Sequence, residues 1–137
     1  MTQTMTIPVR VYYEDTDAGS VVYYANYLKY AERARTEYLR GLGFENSKLA
    51  ADEGVFLVVR HLEADYRAPA RLDDLLTVET QLVDLGKASF TMHQEIKRDG
   101  VVLVAMKVVL ACVSTIGKAA RMPPVLRDKL EQESIAP

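Results

Sequence analysis

The chain has 137 residues, 49% of them hydrophobic and 26% charged, the size and balance of one globular domain around a single core. A net charge of -2 and an isoelectric point near 5.7 leave no broad basic field for a phosphate backbone or an acidic membrane surface, which argues against nucleic acid as a partner. One cysteine, Cys112, rules out an internal disulfide. The start MTQTMTIPVR shows no secretion signal and the longest apolar run, VVLVAM, is too short to span a bilayer, so a reducing cytoplasm is the expected compartment.

In chain order, IPVRVYY (Ile7 to Tyr13) reads as a first strand, with Pro8 placing it at a sheet edge. Three acids follow within four residues, Glu14, Asp15 and Asp17, and Ala18-Gly19-Ser20 then leads into an aromatic-rich segment. Tyr27, Ala31, Ala34, Tyr38 and Leu42 recur at spacings of three and four, while Lys29, Glu32, Arg33, Thr36, Glu37 and Arg40 take the other faces, the pattern of one amphipathic helix. Asn26 is its expected cap and Gly41 or Gly43 its stop.

The second half has a period of two. Leu62, Ala64 and Tyr66 alternate with His61, Glu63 and Asp65 in VFLVVRHLEADY, and Leu75 to Leu85 is rich in Thr and Val. Gly86-Lys87 turns into ASFTMHQEIKR, where Phe90, Met92 and Ile96 share one face. Asp99-Gly100 is a hairpin signal, and VVLVAMKVVLACV is apolar enough to be a central strand. A Pro pair then precedes a short helix from about Pro124, expected to be peripheral.

These elements predict an α+β fold: a curved antiparallel sheet wrapped around one long helix, in a single domain 1–137 with its core from about 7 to 123. The exposed rim of such a sheet invites a second copy, giving a homodimer or homotetramer.

The run VYYEDTDAGSVVYYANYLKYAERARTEYL resembles the signature of the hotdog-fold 4-hydroxybenzoyl-CoA thioesterase family. FLVVRHLEADYRAPARLDDLLTVET, ASFTMHQEIKRDG and CVSTIGKAARMP narrow the resemblance to the Tol-Pal-associated acyl-CoA thioesterases of bacteria, over about Val9 to Pro123. The resemblance implies a hydrolase of acyl-CoA, with acyl carrier protein thioesters as further candidate substrates and no cofactor. It places the catalytic carboxylate on Asp17 and gives the main chain at Tyr24 the task of polarising the thioester carbonyl. Gly19-Ser20 stands where many Tol-Pal-associated relatives have Gly-Gly, and Tyr24 where many have His.

Taken alone, an acid before a helix reads first as a solvated turn residue, and only the full set of motifs moves Asp17 to catalysis. Asp15 reads as a structural acid, Glu14 as a surface one, and Cys112 as a core residue. His61 and His93 are too isolated for a metal centre. A substrate-binding group is expected of Gly19, Ser20, Arg60, His61 and Lys87, the last three facing the coenzyme A phosphates, with Arg98 and Lys118 weaker candidates. A hotdog module of the cell envelope that binds acyl chains or partners with little hydrolysis is the competing reading; a dehydratase is disfavoured because no His accompanies the acid in the first motif.

Overall fold

The computed structural model describes residues 4–135. Its first strand, β1 (Thr4–Arg10), ends earlier than the expected Ile7 to Tyr13. Asp15 is the cause. Its carboxylate accepts the Tyr12 N–H at 2.8 Å while its own N–H donates to the Tyr12 carbonyl at 2.9 Å, so Tyr13–Asp15 closes into one 3-10 turn instead of extending the strand.

Helix α1 (Asn26–Gly41) agrees with the periodicity. Tyr27, Tyr30, Ala31, Ala34, Tyr38 and Leu39 are buried, and the two alanines let the helix lie close to the sheet. Gly43, at φ 97°, takes the left-handed conformation that ends the helix, its N–H donating to the Arg40 carbonyl. The expected cap is corrected: Ala25 occupies the N-cap position, and the Asn26 side chain instead donates to the Asp15 carbonyl at 2.8 Å. A short helix α2 (Asn46–Lys48) runs on through a wider turn, Leu49–Glu53, which the hydrophobic spacing does not announce.

Strands β2 (Val55–Tyr66), β3 (Leu75–Leu85), β4 (Ser89–Arg98) and β5 (Val101–Ser114) join β1 in one antiparallel sheet of order β1-β3-β4-β5-β2. Pro8 lies in an edge strand, and the apolar β5 has neighbours on both sides, as expected. Asp99 and Gly100 both have positive φ, 51° and 80°, the two-residue turn that suits the twist of a hairpin. Bulges near Arg60, Val83 and the β4–β5 turn bend the sheet.

The concave face is built from cross-strand pairs: Val78 with Ile96, Thr80 with Gln94, Leu82 with Met92, Leu85 with Phe90. Against it α1 packs on β1, β3 and β4, each fully buried aliphatic or aromatic side chain contributing about 1.5–3 kcal/mol. Helix α3 (Pro124–Ile135) is not peripheral, because Leu126 and Leu130 are fully buried and it packs against β3. Cys112 is a buried thiol, pushed up in pKa by that burial. No described helix is long and apolar enough to cross a membrane.

Candidate active site

The acidic run forms a tight loop folded back over the start of α1. The Asp17 N–H donates to the Val21 carbonyl at 2.9 Å and the Ser20 N–H to the Asp17 carbonyl at 3.1 Å. The Gly19 N–H donates to Asp17 Oδ1 at 2.9 Å. One carboxylate oxygen is therefore fixed by the loop backbone, and the side chain stands exposed at the loop's outer face. A Cβ at Gly19 would rest against that same oxygen at 3.4 Å, an ordinary contact distance. Ser20 sits at φ 62°, a conformation glycine adopts without strain, so the departure from Gly-Gly lies where glycine is the easier residue.

Asp15 ties this loop to the helix. Besides capturing Tyr12, its carbonyl accepts from the Tyr23 N–H at 3.0 Å and from Asn26 Nδ2. Its structural reading holds. Below it, the fully buried Tyr30 hydroxyl has no hydrogen-bond partner among the described residues. Burial first, and the Asp15 carboxylate second, hold its proton on well above the usual phenol range.

Past Tyr23 the chain turns into α1: the Asn26 N–H donates to the Tyr23 carbonyl, and the Leu28 N–H to the Ala25 carbonyl. Among the described residues, Tyr24's N–H makes no hydrogen bond, which leaves a donor at the positive end of a 16-residue helix. Its ring is exposed, 4.8 Å from the Tyr23 ring and 6.2 Å, edge-on, from Tyr66 at the end of β2.

A second segment, residues 67–74, holds loop and helix in register, and the sequence pattern gives no sign of it. The Val22 N–H donates to the Ala70 carbonyl, the Leu72 N–H to the Ser20 carbonyl, and the buried Tyr27 hydroxyl accepts the Ala70 N–H at 2.9 Å. Asp74 in turn accepts from the Arg71 N–H at 2.8 Å and the Arg98 guanidinium at 2.7 Å. Those bonds, outweighing its desolvation, draw its pKa below the usual carboxylate range. Arg98 is thus committed to Asp74.

The expected binding residues fall in three places. Gly19 and Ser20 share the loop with Asp17. Arg60 and His61 are exposed at the middle of β2, Arg60 at the bulge, and His61 Nε2 lies 3.1 Å from Glu63 Oε2. Lys87 is exposed in the β3–β4 turn, next to β5 at Ala111 and Cys112, whereas the helix head adjoins β5 near Val104. Seven residues of strand, from 104 to 111, separate those levels, about 23 Å at the usual rise. Lys87 lines a cleft of about 540 Å³ with Arg121, Arg127, Met122 and Asp128, and the two arginines are cations that sequence spacing does not bring beside it. Lys118 closes a separate turn, where its carbonyl accepts from Ser114. A cleft of about 780 Å³ between β1 and the outer face of α1 includes Asp15 but neither Asp17 nor Tyr24.

The profile of the thioesterase-like superfamily matches residues 11–130 of this chain. The chain belongs to that superfamily. It is 48% identical over 120 residues to the acyl-CoA thioesterase YbgC of Haemophilus influenzae, covering 88% of this chain and 85% of that one. Among solved structures it is similar to a probable thioesterase from Bartonella henselae, with a TM-score of 0.85 and 43% identity over 88% of this chain and all of that one. A 4-hydroxybenzoyl-CoA thioesterase mutant complexed with 4-hydroxybenzoyl-CoA superposes with a TM-score of 0.86 over 96% of this chain and 99% of that one. At 20% identity, that last likeness speaks for the hotdog fold alone.

Proposed function

We infer that this protein is an acyl-CoA thioester hydrolase in which Asp17 attacks, or activates the water that attacks, a carbonyl carbon whose oxygen is held by the Tyr24 N–H. The supporting observation is the pairing of a backbone-fixed carboxylate with an unclaimed amide at the helix head. As the thioester is attacked, charge develops on its oxygen, and an N–H reinforced by the helix dipole stabilises that charge more than it stabilises the neutral carbonyl. Asp17 acts through the oxygen that Gly19 does not hold, as nucleophile or as general base. On the base route it takes the water proton as the C–O bond forms; the C–S bond then breaks, and the thiolate needs no dedicated acid because it is a good leaving group.

The site is completed by a second copy of the chain. β2 is a free edge of 12 residues that exposes Phe56, Val58 and Val59. Two such edges paired antiparallel about a two-fold axis bring the Val55 end of one beside the Tyr66 end of the other. Lys87 of the partner subunit, with its arginine-lined cleft, then comes to the mouth of the Asp17 loop, and Arg60 and His61 of both copies lie near the axis. That arrangement gives the coenzyme A phosphates their cations and covers the exposed carboxylate.

The test offers purified protein a panel of acyl-CoA esters with a thiol-detecting dye, beside Asp17→Asn, which can still accept the Gly19 N–H. Wild type releases thiol and the variant loses about 10²–10⁴-fold in kcat. Equal release by both, or none by either, hands the fold to the acyl- or partner-binding reading. Single turnover in ¹⁸O water tests the nucleophilic route: label recovered in Asp17 marks an acyl-aspartyl anhydride opened by water at the aspartyl carbonyl.

A further inference from the structure

Arg35 is the one cation of α1 that faces inward. It is 8% exposed, on a helix whose Lys29, Arg33 and Arg40 point to solvent. Of the five N–H donors a guanidinium carries, one is placed among the described residues, from Nη1 to Gln94 Oε1 at 3.0 Å. No described carboxylate lies within ion-pair distance of it. Glu32, one turn earlier, is near enough to favour the charge, yet its carboxylate accepts the Thr36 hydroxyl at 2.8 Å. A cation held this far out of water gains from an anion placed against it.

The residue beneath it is set to receive it. Gln94 Nε2 donates to the Ala31 carbonyl and to Thr80 Oγ1, both at 2.9 Å, which fixes the amide and turns its oxygen toward Arg35. Gln94 and Thr80 are satisfied by this network, while the remaining N–H groups of the guanidinium open onto the space around it. Arg35 lines two adjoining spaces. One is a groove of about 610 Å³ between α1 and β2, with Leu28, Val59 and Leu62 as its apolar wall. The other is a pocket of about 120 Å³ that reaches Leu57, Met92 and Leu110. The groove's charged lining is three cations, Lys29, Arg33 and Arg35, against one acid, Glu32, so an anion is favoured there.

The groove is lined from Leu28 in the first turn of α1, four residues beyond Tyr24 in the chain, to Arg35 in the third. Nine residues of helix rise separate Asn26 from Arg35, roughly 14 Å, with the turn at Tyr24 ahead of them, and a helical side chain leans back toward the N-terminus, which shortens the gap to roughly 10 Å. We propose, taking the hydrolase reading as given, that the α1–β2 groove holds the acyl group and that Arg35 binds a carboxylate at its far end, so the protein selects acyl-CoA esters of medium-length dicarboxylic acids over plain fatty acyl esters. The carboxylate supplies the missing counterion in a two-bond, charge-assisted contact, while the methylene chain lies along Leu28, Val59 and Leu62.

Two measurements test this, and one of them needs no catalysis. In calorimetry with non-hydrolysable thioethers, wild type binds S-(5-carboxypentyl)-CoA about 10-fold or more tighter than S-hexyl-CoA. Arg35→Met, whose apolar chain fills the buried site, loses that preference, and Arg35→Lys keeps part of it. In hydrolysis, the kcat/KM ratio of adipoyl-CoA to hexanoyl-CoA falls by about the same factor in Arg35→Met. Equal binding of the two thioethers by wild type overturns the proposal whether or not any variant folds, as does a preference that survives in a folded Arg35→Met. If the preference is present but no thioester is hydrolysed, the anion site stands and the hydrolase reading falls; intact hydrolysis without the preference removes the anion site and leaves the hydrolase.

Discussion

The loop at the head of α1 and the cationic cleft by Lys87 are built in opposite ways. Around Asp17 nearly every bond is made by the main chain: Gly19 to the carboxylate, Val21 and Ser20 across the loop, Val22 and Leu72 to the neighbouring segment. Around Lys87 the groups that matter are side chains on separate elements, Lys87 exposed on a turn, Arg121 exposed before α3, and the half-buried Arg127 within it, which donates to the Gly86 carbonyl. A carboxylate that must meet a reacting carbon within tenths of an ångström needs the first kind of support. Cations that hold a flexible phosphate tail need only the second. Damage to the first region should therefore appear in kcat and damage to the second in KM.

Tyr27→Phe gives the sharpest contrast. It deletes the acceptor of the Ala70 N–H in a buried site, and we expect a loss of about 1–3 kcal/mol in urea unfolding together with a fall in kcat that KM does not share. An unchanged kcat would show that the 67–74 segment does not position the loop. The double change Lys87→Ala with Arg121→Ala should raise KM for acyl-CoA about 10-fold at low salt, with kcat within about 2-fold, and the increase should shrink as ionic strength rises. A KM that does not move would remove the cleft from the substrate's path. The smallest effect is expected from Ser20→Gly, which relieves a left-handed serine while freeing the unfolded chain: a stability change within about 1 kcal/mol and unaltered kinetics, measured by thermal unfolding and thiol release.

The same two regions explain what the sequence could reveal. Strand β3 and most of β4 were legible because buried and more exposed residues alternate along them, and β5 because its apolar run marks a strand with neighbours on both sides. Among their inward residues, the polar Gln94 belongs to the network under Arg35. The start of the site was misread where a side chain competes with the backbone. Asp15 ends β1 early, and Asn26, a good cap by type, is drawn away to the Asp15 carbonyl. The Ala70–Asp74 support is invisible because its bonds join main-chain atoms some fifty residues apart, which composition does not encode. Arg35 is passed over for a related reason: helical spacing marks Ala31, Ala34 and Tyr38 as the inner face, and an arginine between them enters the core only because Gln94 waits there. In α3, two leucines in a charged stretch look peripheral until the edge of the sheet is present to bury them.

The grip of the helix head on the substrate is tested most directly by vibrational spectroscopy. Acyl-CoA carrying a ¹³C-labelled thioester carbonyl, bound to Asp17→Asn so that it is not consumed, should show its carbonyl stretch moved to lower wavenumber than in water, because the Tyr24 N–H withdraws charge onto the oxygen. A bound carbonyl that absorbs at the position of the free ester, or higher, would mean that no amide holds it, and that Asp17 and Tyr24 do not act as one catalytic unit.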